Sequence, residues 1–166
     1  MVTESVTTCP WRWSKRVLPQ HTDHGGVMWH GAYVAWLEEA RVEALAAVGL
    51  PYDVVSEAGL EMPVVRLEVD YRQALHHGEQ VLLESWALPR KGIRWPWRSR
   101  WLRSDGEVAA EARVELVLVR FDGGRRTLLR QAPEPLSEAL RRLQQGPEPP
   151  ACNDGTDVLA TGFGVA

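Results

Sequence analysis

The chain predicts an α+β domain in which an antiparallel five-stranded sheet packs on one long central helix. Three observations carry this. Residues 30–48 place apolar side chains at three- and four-residue spacing, later stretches alternate apolar and polar residues in twos, and the connections between those stretches are short. At 166 residues the chain can bury one core but not two.

The elements follow in order. Residues 13–18 (WSKRVL) form a first short strand, ended by Pro19. From His30 to Val48, the side chains of Tyr33, Trp36, Leu37, Ala40, Ala44 and Val48 share one face, while Glu38, Glu39, Arg41 and Glu43 fill other positions. Gly49, with Pro51 just beyond, ends this amphipathic helix. A shorter helical piece is expected over 52–58. In VVRLEVDY (64–71), Val65, Leu67, Val69 and Tyr71 alternate with Arg66, Glu68 and Asp70, the pattern of a half-buried strand. QVLLESWAL (80–88) is another strand, less strictly alternating.

IRWPWRSRWLR (93–103) sets Ile93, Trp95, Trp97 and Trp101 against Arg94, Arg98 and Arg100; Pro96 lacks an N–H, so a bulge or unpaired edge is expected there. SDG (104–106) turns the chain into VAAEARVELVLVR (108–120), where Ala110, Ala112, Val114, Leu116 and Leu118 alternate with Glu111, Arg113 and Glu115. PEPLSEALRRL (133–143) reads as a short terminal helix. The apolar stripe of the long helix needs a partner, and the apolar sheet face is the one available. Residues 1–145 are therefore read as a single domain. Residues 146–166, rich in Pro, Gly and polar side chains and without a period, are read as a flexible tail.

Composition narrows the function. A net charge of −3 gives no electrostatic footprint for nucleic acid. No secretory signal and no apolar run long enough to span a bilayer are visible, so the cytoplasm is the default expectation. Cys9 and Cys152 make no metal spacing and are read as incidental thiols. The eight tryptophans suit a core, a subunit interface or an aromatic ligand pocket.

The chemistry concentrates in HTDHGGVMWHGAYVAWLEEAR (21–41). An Asp ahead of glycines can be a turn residue that bonds its own backbone; it can equally be a reactive carboxylate. His21, His24 and His30 with Asp23 raise the question of a metal, but they lack paired zinc spacing and an HExxH helix, so no metal is expected. His76 and His77, beside Gly78, read as solvated turn residues.

DHGGVMWHGAYVAWLEEAR resembles the signature of the 4-hydroxybenzoyl-CoA thioesterase family of hotdog-fold proteins. There an Asp, a small residue and Gly, and an apolar-aromatic stretch lead into the central helix. The similarity runs more weakly through EMPVVRLEVDYRQALHHGEQVLLE and covers roughly residues 13–121. It implies hydrolysis of an acyl-CoA thioester without metal or organic cofactor, in a dimer or tetramer whose subunits join their sheets edge to edge around the ligand.

The resemblance assigns the catalytic carboxylate to Asp23, as a nucleophile or a base. The first amides of the helix, at His30 and Gly31, have no internal partners and sit at its positive end, ready for an oxyanion. Gly25 and Gly26 let the thioester approach the main chain, and Trp29 joins them as a substrate contact. His30 takes a supporting polar role. Glu38 stands where the family can present an acid to the acyl group, or it is a solvated partner of Arg41. PRKGIR (89–94) matches the family's basic segment near the nucleotide, which makes Arg90 and Lys91 candidates for phosphate, with Arg72 a weaker one. The acyl group is left open among 4-hydroxybenzoyl, 1,4-dihydroxy-2-naphthoyl and short aliphatic groups. A non-catalytic acyl-CoA or acyl-carrier binding module and a hotdog dehydratase are the other classes. The retained Asp23 counts against the binding module, since a pure binder gains nothing from an anion facing a carbonyl oxygen.

Overall fold

A computed structural model describes residues 8–147; most of the expected tail, from 148 on, lies outside the described residues. The chain runs β1 (Trp11–Arg16), a 3₁₀ turn (Pro19–His21), α1 (His30–Ala47), α2 (Tyr52–Glu57), β2 (Leu60–Glu61), β3 (Val64–Tyr71), β4 (Gln80–Ala87), β5 (Arg94–Arg103), β6 (Val108–Val117), β7 (Val119–Asp122), β8 (Arg125–Leu128) and α3 (Leu136–Gln145). Five strands form one antiparallel sheet in the order β1-β4-β5-β6-β3, and β2-β7-β8 form a small second sheet. Among the described residues no helix is long and apolar enough to cross a membrane.

The helix and the sheet bury each other as their periods require. Tyr33, Trp36, Leu37, Ala40 and Ala44 of α1 are buried, and so are Leu83, Trp97, Trp101, Ala110, Val114 and Leu116 on the facing strands. Each large side chain removed from water contributes about 1.5–3 kcal/mol, so this interface dominates the fold. After Ala47 the helix stops in a Schellman arrangement: Gly49 N donates to Ala46 O (2.9 Å), Leu50 N donates to Leu45 O (3.2 Å), and Gly49 has φ +86°. Within the apolar face, Ser85 and Ser99 satisfy each other at 2.7 Å.

The opposite face of the sheet is charged. Glu84, 2% exposed, is held between Arg12 (Nε to Oε1, 3.0 Å) and Arg100 (Nε to Oε2, 2.6 Å). Arg98 and Arg100 lie against the Trp86 ring. A buried carboxylate stripped of both arginines would cost several kcal/mol.

Four expectations need correction. The first strand begins at Trp11 rather than residue 13, because Trp11 pairs opposite Ser85; Val17 lies beyond its end and donates to Glu79 O (2.9 Å). At Pro96 the unpaired edge forms, on the β4 side, and the bulge does not. The proline pairs in register with Glu115, while its carbonyl accepts from Leu88 N (2.9 Å) just past the end of β4, where no donor is required of it; the register breaks at Trp101/Leu102 instead. Cys9 is disulfide-bonded rather than a free thiol, and Cys152 lies outside the described residues. The β7–β8 hairpin was not expected, since its four-residue strands carry arginines on both faces.

Candidate active site

Two loops zipped together build the site. Met28 N donates to Leu75 O (2.7 Å), His77 N donates to Gly26 O (3.1 Å), and Val27 bridges His76, so residues 22–28 are fixed to the turn between β3 and β4. Within the first loop Asp23 N donates to Val27 O (2.9 Å) and Gly26 N to Asp23 O (3.0 Å). Asp23, exposed at the loop tip, accepts on Oδ1 from Gly25 N (2.8 Å) and Val27 N (3.2 Å). These are the bonds of a turn residue. Oδ1 anchors the turn, and Oδ2 has no protein partner among the described residues.

The two glycines do different work. Gly26 has φ +74°, a conformation that side chains strain. At Gly25 a Cβ would stand 3.2 Å from Asp23 Oδ1, the oxygen that its own amide holds.

The start of α1 faces the same space. Trp29 N donates to His21 O (3.0 Å) and Ala32 N to Trp29 O (2.9 Å), which closes the first turn. The amides of His30 and Gly31 donate to no described residue, the condition for receiving an anionic oxygen. The indole of Trp29 lies flush on Gly31, where a Cβ would come within 2.1 Å of the ring. The exposed His30 ring packs edge-on against Trp29, 5.2 Å between centroids. His21 is structural: Nδ1 accepts from Leu18 N (3.1 Å) and its ring meets Trp36 at 5.3 Å.

Around these groups opens a cleft of about 810 Å³, walled by Asp23, His24, Trp29, His30, Tyr33 and Tyr71, within the usual size of small-molecule sites. Tyr33 and Tyr71 were not foreseen as site residues. Their rings meet edge-to-face at 5.0 Å, and Tyr33 also meets Trp101 at 5.2 Å. Burial, reinforced by Tyr71 and Glu79, pushes the Tyr33 phenol up to about 12, so it is a neutral hydrogen-bond donor at any physiological pH. The periodicity marks both residues as apolar-face positions, but only the uncovered edge of β3 turns them into cleft wall.

The remaining candidates stand elsewhere in the protomer. Glu38 is ion-paired with Arg41 and lines a separate cavity of about 40 Å³ with Leu45, Tyr52, Met62 and Trp97. Burial lowers the Arg41 pKa against the pull of Glu38. Arg90 donates to Arg130 O and lies over the Trp95 ring, and Lys91 occupies the β4–β5 turn, bridged to Arg94. That turn is at the far end of β5 from Trp101 and the cleft, seven residues or about 23 Å along the strand. Arg72 reaches the cleft margin but pairs with Glu111 (2.6 Å). Among the described residues no three His, Cys, Asp or Glu side chains cluster as a metal site would require.

Residues 17–143 match the thioesterase-like superfamily. The chain belongs to that superfamily. Its α+β architecture is the hotdog fold. A Synechocystis sp. protein named as an esterase, sll0410, is 32% identical over 143 residues, covering 86% of this chain and 85% of that one. The acyl-CoA thioester hydrolase YbgC of Escherichia coli is 25% identical over 114 residues, 69% of this chain and 85% of its own. The crystal structure of a DHNA-CoA thioesterase from Staphylococcus aureus superposes with a TM-score of 0.71 over 81% of this chain and 91% of that one; at 24% identity the likeness is one of fold. The superfamily match begins just before the loop that carries Asp23 and ends within α3.

Proposed function

We propose that this thioesterase-like protein hydrolyses acyl-CoA thioesters to the free acid and CoA, with Asp23 as the reacting carboxylate. The observation that carries this is the pairing of Asp23 Oδ2, which has no protein partner among the described residues, with the open amides of His30 and Gly31 across one cleft. A thioester carbonyl whose oxygen lies on those amides presents its carbon to the carboxylate side. Asp23 then either draws the proton from an attacking water or adds to the carbonyl itself, and the thiolate of CoA leaves in both cases. The developing oxyanion is met by donors that need no rearrangement, in a site walled by Trp29 and Tyr33. Neither route needs a metal or organic cofactor. His30 and Trp29 are the nearest side chains to the acyl carbonyl in this reading, and Gly25 and Gly26 keep its approach open.

Edge-to-edge dimers complete the reading. β3 is one of the two outer strands of the sheet; seven of its eight residues are exposed and none is buried. Val65, Leu67 and Tyr71 leave apolar surface beside an unpaired backbone edge. Long apolar edges of this kind are covered in working proteins, and a second copy of β3 is the matching cover. A tetramer would be built from such dimers, and a CoA-dependent enzyme belongs in the cytoplasm.

The test is a panel of aromatic and aliphatic acyl-CoAs assayed by release of free thiol, with Asp23→Asn alongside. Turnover of at least one substrate that the variant loses is the expected result. An inert wild-type protein, or a fully active variant, would remove the proposal.

A further inference from the structure

Polar atoms inside the helix–sheet interface differ in what they can reach. Trp36 Nε1 and Trp101 Nε1 are shut off from solvent and meet no hydrogen-bond partner among the described residues. The phenol oxygen of Tyr33, a residue only 2% exposed, also bonds no described residue, yet it is not shut off with them: Tyr33 forms part of the cleft wall. A buried hydroxyl without a partner costs stability, so one that opens onto a cleft marks a place where a ligand or water supplies the bond. The ring is held in that direction, edge-on to Tyr71 at 5.0 Å and to Trp101 at 5.2 Å.

The other polar side chains of the cleft are engaged or solvated. Thr22 Oγ1 donates to Pro19 O (2.8 Å), Arg72 pairs with Glu111 (2.6 Å), and Gln73 Oε1 accepts from Arg103 Nη1 (3.3 Å). His24, His30 and Tyr71 are exposed. Tyr33 stands three residues past His30 and four past Trp29, so the three side chains share one face at the start of α1. Its Cα lies about 4.5 Å further along the helix than that of His30. An acyl group whose carbonyl oxygen rests on the amides of His30 and Gly31 then has the Trp29 ring beside it and the Tyr33 phenol ahead of it.

We propose that Tyr33 is a specificity-determining residue: its phenol hydrogen-bonds an oxygen carried on the acyl group, so that the preferred thioesters bear a hydroxyl or oxo substituent and plain hydrocarbon acyl groups are disfavoured. This rests on the acyl-CoA hydrolysis proposed above and narrows it. Either substituent suits, because a phenol both donates and accepts. The phenol stays neutral at every physiological pH, so the preference does not follow a protonation state. A plain acyl group displaces water from the phenol and offers nothing in return; that unmet bond, rather than an extra contact, carries the discrimination.

Matched pairs of acyl-CoAs test it: butanoyl against 3-hydroxybutanoyl, hexanoyl against 3-oxohexanoyl, and benzoyl against its 3- and 4-hydroxy forms. The readout is the ratio of kcat/KM within a pair, compared between wild type and Tyr33→Phe, so that the intrinsic reactivities of the two thioesters cancel. The substitution keeps the ring that Tyr71 and Trp101 pack against and removes only the oxygen. For at least one pair the ratio in favour of the oxygenated acyl group is expected to fall about tenfold in the variant, the size of one neutral hydrogen bond. A change below about threefold in every pair, an equal loss on both members included, overturns the proposal. If the variant turns nothing over, inhibition of the wild type by non-hydrolysable CoA thioethers of the same pairs decides instead. There an oxygenated member is expected to inhibit about tenfold more tightly than its plain counterpart, and equal inhibition within every pair overturns the proposal. Wild-type protein that hydrolyses no acyl-CoA removes the reading of function and this inference with it; wild-type protein that hydrolyses them without such a change in ratio removes this inference alone.

Discussion

The two ends of the main sheet are built for different work. At the Tyr71 end, backbone hydrogen bonds lock two loops together, an aspartate is fixed by one oxygen, and aromatic side chains wall a cleft. At the Val64 end the cavity lined by Met62, Trp97 and Leu116 is only about 40 Å³, short strands expose arginines, and the ion pairs lie on the surface. The contrast is between groups held still against each other, as the proposed bond-breaking step requires, and charge carried on an open surface.

Substitutions at the two ends should therefore differ in kind. The largest effect is expected from Asp23→Asn. The amide oxygen still accepts from Gly25 and Val27, so the loop survives, but the reacting carboxylate is gone; kcat should fall by about 10²–10⁴-fold with little change in melting temperature. Free-thiol release and a thermal melt on the same preparation decide it, and a large loss of stability would show that Asp23 serves the turn alone. Next is Leu67→Arg, in the middle of the β3 edge. It is expected to convert the proposed dimer to a monomer in analytical ultracentrifugation and to lower turnover, although the residue does not line the cleft. A variant that still sediments as a dimer would show that the β3 edge is not the interface.

A smaller effect concerns alkaline stability. The Tyr33 phenol is raised from 10.0 to about 12 by burial, so the unfolded chain ionises first. The stability linked to this group is complete below pH 10 and is lost as pH rises toward 12, by about 3 kcal/mol over that interval. Tyr33→Phe should flatten this part of the decline in denaturant midpoints between pH 9 and pH 11.5; an unchanged slope would show that other tyrosines carry it. The smallest effect is expected from Glu38→Gln. Its carboxylate is 62% exposed, and surface pairs contribute below about 1 kcal/mol. A marked rise in KM would return Glu38 to the substrate.

Much of this was legible in residue order. The spacing from Tyr33 to Ala44 gives α1 and its buried face, and the alternation of Ala110, Ala112, Val114 and Leu116 gives β6, because both patterns report one face against one core. The acid and glycines at 23–26 mark the loop, since few purposes require that combination before a helix. What the order of residues cannot carry is which neighbour a side chain meets. Tyr71 alternates as though buried, yet 52% of it is exposed because it lies on an edge strand. Pro96 signals a broken ladder, but β4 has already ended beside it. For Arg90 and Lys91, read as phosphate contacts, residue order does not say at which end of the sheet they stand relative to Asp23; the length of β5 decides that.

One detail at the mouth of α1 sets limits on how this protein can change. The Trp29 indole occupies the space in which any side chain at residue 31 would begin, so even a single methyl group there must evict the ring that forms one wall of the cleft. Position 31 thus controls the shape of the entrance without reaching into it. Evolution toward a different acyl group has a direct route through Trp29 itself and an indirect one through the glycine beneath it, by way of the displaced ring.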